Sequence, residues 1–144
     1  MSIDRFEGPC FFLSNFHASS VVWEGDIYPT VEHAFQAAKT QDPVERRRVR
    51  LASTPAEAKR LGRRVCLRAD WESAKLGVME ALLRQKFFDP ELAEALRATA
   101  PHDLVEGNTW NDRFWGVCRG KGQNHLGRLL MKVRAELLGV CRSA

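Results

Sequence analysis

The sequence predicts a mainly α fold, a single compact helical domain with a short N-terminal β-hairpin. Three observations carry that expectation. Helix starts led by proline recur at 42–45, 54–57 and 89–91. Apolar residues repeat at helical spacing through 71–87 and 126–137. Convincing strand signals are confined to residues 11–28. With 144 residues, 44% of them hydrophobic, the chain is long enough for one core and short for two. One domain spanning 1–144 is therefore expected.

The elements follow in order. Residues 11–28 read "FFLSNF" and then "SVVWEGDIY", whose Glu24-Gly25-Asp26 centre suits a tight hairpin turn. The stretch "YPTVEHAFQAAKT", 28–40, is an amphipathic helix. At about 100° per residue, Glu32, Gln36 and Lys39 fall within roughly 60° of one another, with His33 on the flank, and Val31, Ala34, Phe35 and Ala38 take the opposite side. Asp42-Pro43, Thr54-Pro55 and Asp89-Pro90 each place a capping side chain before proline at the first helical position, and Glu45 and Glu57 complete two capping boxes. Asp70 is positioned to cap a longer helix whose Trp71, Ala74, Val78, Leu82 and Phe87 face one way. The last helix runs from about 124 to 138 on a stripe of Leu126, Leu129, Leu130, Val133 and Leu137. Between 101 and 122 the periodicity fails, and a segment rich in Gly, Asn, Asp and Trp belongs inside the domain as an irregular loop.

Composition narrows the function classes. A net charge of +4 and a pI near 9.1 lean toward anionic, phosphate-bearing partners. The N-terminus lacks a basic region followed by an apolar run, and no segment approaches the roughly 20 apolar residues of a bilayer span, so a soluble, cytoplasmic protein without a membrane partner is expected. Cys10, Cys66, Cys118 and Cys141 are widely separated with no CxxC pair, which favours reduced, small hydrophobic residues over a zinc cluster or redox dithiol. No metal site and no cofactor are expected.

Two regions can carry chemistry. On the first helix, Glu32, Gln36 and Lys39 bring an acid, an amide and an amine onto one stripe, which either lines a pocket or is a solvated pair on the wet side of the helix. The segment "VEGNTWNDRFWGVCRGKGQNHLG" concentrates Glu106, Asn108, Trp110, Asn111, Asp112, Arg113 and Trp115. Either it forms a functional loop or its tryptophans lid the core while its polar groups satisfy backbone. "GKGQN" then leads into the last helix with Lys121 beside it: an anion site made of backbone amides, or a glycine turn with Asn124 as N-cap.

The series "FLSNF" at 12–16, "YPTVEHAFQAAK" at 28–39, "DRFWG" at 112–116 and "GKGQNHLGRLLM" at 120–131 resembles the NADAR, or YbiA-like, family across nearly the whole chain. The resemblance implies a compact YbiA-like helical domain that cleaves an N-glycosidic bond. Members of the family are linked to two substrate classes: ADP-ribose on guanine bases in DNA or RNA, and phosphoribosylamino-pyrimidine intermediates of the riboflavin pathway. Both join a phosphorylated ribose through nitrogen to a guanine-like ring.

Breaking that bond builds positive charge on the sugar and negative charge on the leaving nitrogen, so the site needs an anion near C1′ and a proton donor near the base. Glu32 and Asp112 are the candidate carboxylates, with the acid and base roles open between them. Lys39 offers a second route, attack on C1′ and an imine with the opened ribose, provided its amine is neutral for part of the time. A neighbouring Glu32 would raise the lysine pKa and burial would lower it. Gln36 is placed to hold a ribose hydroxyl or the lysine. Ser14 and Asn15 are candidate hydrogen-bonding groups, Trp110 and Trp115 candidate stacking surfaces, and Trp71 a better candidate for core packing. Arg113, Lys121 and Arg119 are candidate phosphate contacts, with Asn124 at the adjoining helix start. His33 reads as a surface or supporting residue rather than a metal ligand. The basic run "ERRRVR", 45–50, is either a nucleic-acid track or a solvated helix face. The alternative from another class is a module that binds ADP-ribose or a nucleotide without cleaving it.

Overall fold

The structure, a computed structural model, describes residues 1–139, so Cys141 lies outside the described residues. In chain order the elements are β1 (Ser2–Ile3), a 3-10 helix (Gly8–Leu13), β2 (Val21–Trp23), β3 (Asp26–Tyr28), α1 (Val31–Ala38), α2 (Pro43–Arg50), α3 (Pro55–Gly62), α4 (Trp71–Lys86), α5 (Pro90–Ala98), β4 (Asp103–Leu104), β5 (Gly107–Asn108), β6 (Val117–Cys118) and α6 (His125–Leu137). The fold is mainly α with few, short strands. The chain divides into two compact units, one of Asn15–Lys86 and one of Met1–Ser14 with Phe87–Ala144.

In the unit of Asn15–Lys86, β2 and β3 form the expected antiparallel hairpin, with Val22 opposite Ile27. Glu24 (φ 47°) and Gly25 (φ 92°) are both left-handed, as a two-residue turn that matches strand twist requires. Two of the expected caps form here, Asp42 accepting from the Val44 amide and Thr54 from the Glu57 amide, and Thr30 accepts from the His33 amide at the start of α1. The two capping boxes do not close, because the Glu45 carboxylate receives Thr40 Oγ1 and the Cys66 amide while that of Glu57 pairs with Arg60. Asp70 departs from its expected capping role. Its carboxylate is taken by Arg68, at 2.6 and 3.0 Å, while its backbone carbonyl receives the Ser73 and Ala74 amides at the start of α4. The core gathers around α1, against which the hairpin, α2, α3 and α4 all pack. All eight residues of α1 are buried, the polar ones included.

In the other unit, "FFLSNF" departs from a strand. Gly8 (φ 55°) and Pro9 bend the chain into a 3-10 turn closed by Cys10 N–H to Glu7 carbonyl (2.9 Å) and Ser14 N–H to Phe11 carbonyl (2.9 Å). An apolar run this short carries no period that separates strand from helix. Asp89 caps α5 by accepting from the Glu91 and Leu92 amides. Segment 101–122, expected to be irregular, contributes three two-residue strands: β1 pairs parallel with β4, and β5 with β6. Two residues are too few to show alternation. Leu126, Leu130 and Val133 of α6 are buried. No helix among the described residues is long and apolar enough to cross a membrane.

Candidate active site

The charged stripe on α1 is not a wet face. Glu32 is 7% exposed and Gln36 5%. Gln36 Nε2 donates to Glu32 Oε2 at 2.6 Å, one helical turn away, so the carboxylate enters the site already oriented. The Glu32 amide donates to the Asn15 carbonyl (3.1 Å), which ties the segment before β2 to the first turn of α1. Asn15 is itself buried and directs Nδ2 toward Met79 Sδ at 3.6 Å, and its Oδ1 has no hydrogen-bond partner. Two candidate residues from distant motifs are thereby brought together.

Lys39 ends the helix, with its carbonyl receiving the Arg68 amide at 2.7 Å. Burial is the largest influence on its ammonium and pushes the pKa below the ordinary lysine range; Glu32 opposes this, while the cations of Arg63, Lys59 and Lys75 reinforce it. The competition between carboxylate and burial thus ends with the pKa below its ordinary value.

Helix α3 sets the opposite wall. A Cβ built on Gly62 would lie 1.9 Å from Gln36 Oε1 and 2.9 Å from Gln36 Cβ, so only glycine lets the helices approach this closely. Sequence reasoning missed Gly62, Lys59, Arg63 and Lys75. The available signal was a glycine inside the helical pattern "EAKRLGRR", which marks a close approach. His33 is 2% exposed rather than at the surface. Its Nδ1 lies 2.8 Å from Thr30 Oγ1 and its Nε2 3.0 Å from the Ala52 carbonyl, so Nε2 carries the proton and the ring bolts α1 to the chain after α2. Trp71 packs in the core with its ring 5.0 Å from Phe35.

The remaining candidates lie in the other unit. Asp112 Oδ1 accepts the amides of Phe114 (3.1 Å) and Trp115 (2.9 Å), which fixes the turn that carries the aromatics. Asn108 locks the same turn, accepting from the Asp112 amide (3.0 Å) and donating to its carbonyl (2.9 Å). Trp115 is half-buried, edge-on to Phe114 at 4.8 Å. Trp110 is 60% exposed. Ser14 is half-buried, and Arg113, Arg119 and Lys121 are exposed.

The proposed amide cradle before α6 is spent internally. The amides of Gln123, Asn124, His125 and Leu126 donate to the carbonyls of Arg113, Gly116, Phe114 and Trp115, so none of these four is open to an anion. Asn124 adopts a left-handed conformation (φ 55°), and its side chain gives no cap to α6. It instead donates to the Leu104 carbonyl and accepts from the Glu106 amide, each at 2.9 Å, stitching β4 and β5 to the helix start. Among the described residues, no group of three or more His, Cys, Asp or Glu side chains is arranged to hold a metal ion.

Comparison with known proteins adds identity to this geometry. The NADAR domain family model matches residues 4–138. The chain is 47% identical over 129 residues to N-glycosidase YbiA of Escherichia coli strain K12, covering 87% of this chain and 80% of that protein. It is 41% identical to the riboflavin biosynthesis protein PYRR, chloroplastic, of Zea mays, over 88% of this chain but 23% of that protein. The solved NMR structure of E. coli YbiA superimposes with a TM-score of 0.84 at 42% identity, covering 96% of this chain and 84% of that one. The chain belongs to the NADAR domain family, and its activity is that of a hydrolase of the N-glycosidase type.

Proposed function

We propose that the protein hydrolyses the ribose C1′–N bond of a phosphorylated ribosyl-guanine-like substrate, removing ADP-ribose from guanine bases in nucleic acid. The observation that supports this most is the buried Glu32–Gln36 pair on the helix that ends at Lys39, whose pKa burial holds below the ordinary lysine range. In the proposed reaction the neutral Nζ attacks C1′ as the C1′–N bond breaks. The leaving base nitrogen takes a proton from a carboxylic acid, for which Glu32 is the candidate on the same helix. Ring opening gives an imine between C1′ and Nζ. Water then adds to it, and collapse of the adduct frees ADP-ribose and restores the lysine.

Incubation with an ADP-ribosylated guanine oligonucleotide is expected to release ADP-ribose, and borohydride added during turnover to trap an adduct on the wild type and not on Lys39→Ala. Glu32→Gln and Asp112→Asn are expected to abolish release while remaining folded. Full release by both carboxylate variants would overturn the assignment. A second reading, hydrolysis of a phosphoribosylamino-pyrimidine, is favoured by the name of the maize relative. The ratio of kcat/KM on the two substrates decides between them.

A further inference from the structure

The basic run on α2 remains outside the chemistry described so far. The unit of Asn15–Lys86 holds thirteen Lys and Arg against nine Asp and Glu, so it carries the whole +4 of the chain. Within it, residues 43–64 hold eight basic residues and two acidic ones, Glu45 and Glu57. Both acids are occupied. Glu45 receives Thr40 Oγ1 (2.6 Å) and the Cys66 amide (3.0 and 3.2 Å), and Glu57 pairs with Arg60. Arg46 pairs with Glu24 and Arg60 with Glu57, which leaves six basic residues against Glu45 over residues 43–64.

A cleft of about 230 Å³ opens between these helices, lined by Glu45, Arg48, Val49, Leu61, Arg64 and Val65. Its two arginines are exposed, and neither forms an ion pair among the described residues. The other lining side chains are aliphatic apart from Glu45, so the cleft offers two guanidinium groups over an apolar floor and no ring on which a base could stack. Arg64 directly follows Arg63, one of the cations that act on Lys39, so the cleft and the α1 stripe flank the same end of α3.

We propose that the α2–α3 face docks the sugar-phosphate backbone of a single-stranded nucleic acid, with Arg48 and Arg64 seating a phosphodiester over the cleft. The inference rests on the reading that the modified guanine is carried by a polynucleotide. Guanidinium groups match phosphate oxygens in pairs. Contacts of this kind set register and carry no sequence information, as an enzyme acting on one modified base in any context requires. A single strand fits because a base held in a duplex must first be unstacked and unpaired, at a cost of about a few kcal/mol, before an enclosed site can reach it.

The test measures binding of an unmodified, fluorescently labelled oligo-dT by polarisation across a salt series, together with kcat/KM on an ADP-ribosylated oligonucleotide and on ADP-ribosyl-guanosine. Arg48→Ala/Arg64→Ala is expected to bind oligo-dT at least about fivefold more weakly at low salt. Its log–log salt slope should be shallower by roughly 1.4, at about 0.7 for each phosphate of a single strand that is no longer neutralised. Arg48→Lys/Arg64→Lys should recover much of that binding, because the charge remains. The alanine variant should lose kcat/KM on the oligonucleotide and keep it on the nucleoside. Unchanged affinity and slope in the alanine variant would overturn the docking face, as would an equal loss on both substrates. If neither substrate is cleaved by the wild type, the reaction assignment fails while the oligo-dT titration still decides the docking face.

Discussion

Lys39 shows how a residue type acquires a role from its surroundings. On an exposed helix beside Glu32 it would be a protonated partner in a weak pair; here burial leads, three other cations reinforce it, and the amine is held below its usual range. If the imine route operates, kcat/KM should rise with pH through that lowered pKa, since the base form is the nucleophile. Lys39→Arg, which cannot release its proton, should form no adduct. Gly62 is the complementary case, a residue whose lack of a side chain matters. Gly62→Ala would drive a methyl into Gln36, separate it from Glu32 or push α3 off α1, and is expected to cost about 1–3 kcal/mol of stability with a loss of about tenfold or more in kcat. Unaltered kcat in a folded Gly62→Ala protein would show that the Gln36–Glu32 bond is dispensable.

At the level of elements, the helix starts were legible because capping is local: a side-chain oxygen, a proline and the next turn's amides lie within four residues of one another. Asp42, Thr54 and Asp89 all cap as the sequence indicates, and Thr30 caps α1 in the same way. The environment of α1 was not legible. Its polar stripe reads equally as a pocket lining or a wet face, yet α3 packs against it at Gln36, and no periodicity within 28–40 announces what another helix will do. Thr30 serves both as the α1 cap and as the hydroxyl that orients His33. Thr30→Ala should therefore lower the free energy of unfolding by about 2 kcal/mol, the upper end for a cap alone; urea denaturation measures it, and a change within a few tenths would show the His33 contact to be incidental.

At the scale of the whole molecule, buried bases set how stability follows pH. Lys86, 1% exposed, has its pKa pushed down to about 7 by burial. Between about pH 7 and the ordinary lysine value the unfolded chain binds more protons than the folded one, so the free energy of unfolding should climb with pH across that window, by a few kcal/mol in total. Below pH 7 this lysine is charged in both states and contributes no slope. His33 and His17, whose pKa values burial lowers, should subtract stability as pH falls below about 6.5. Urea midpoints at pH 7 and 9 are expected to differ in the wild type and to differ less in Lys86→Met, where Lys39 still contributes; an identical slope in the variant would assign the effect elsewhere. The sequence by itself determined the helical class, the capped helix boundaries, the hairpin turn and the family, because each depends on residues adjacent in the chain or on motifs in series. Only the tertiary structure decided that Glu32 and Gln36 are dry, that burial outweighs Glu32 and lowers the Lys39 pKa, and that the amides before α6 are already spent. Burial and hydrogen-bond pairing are properties of what other segments bring to a residue, and a chain read one residue at a time does not contain them.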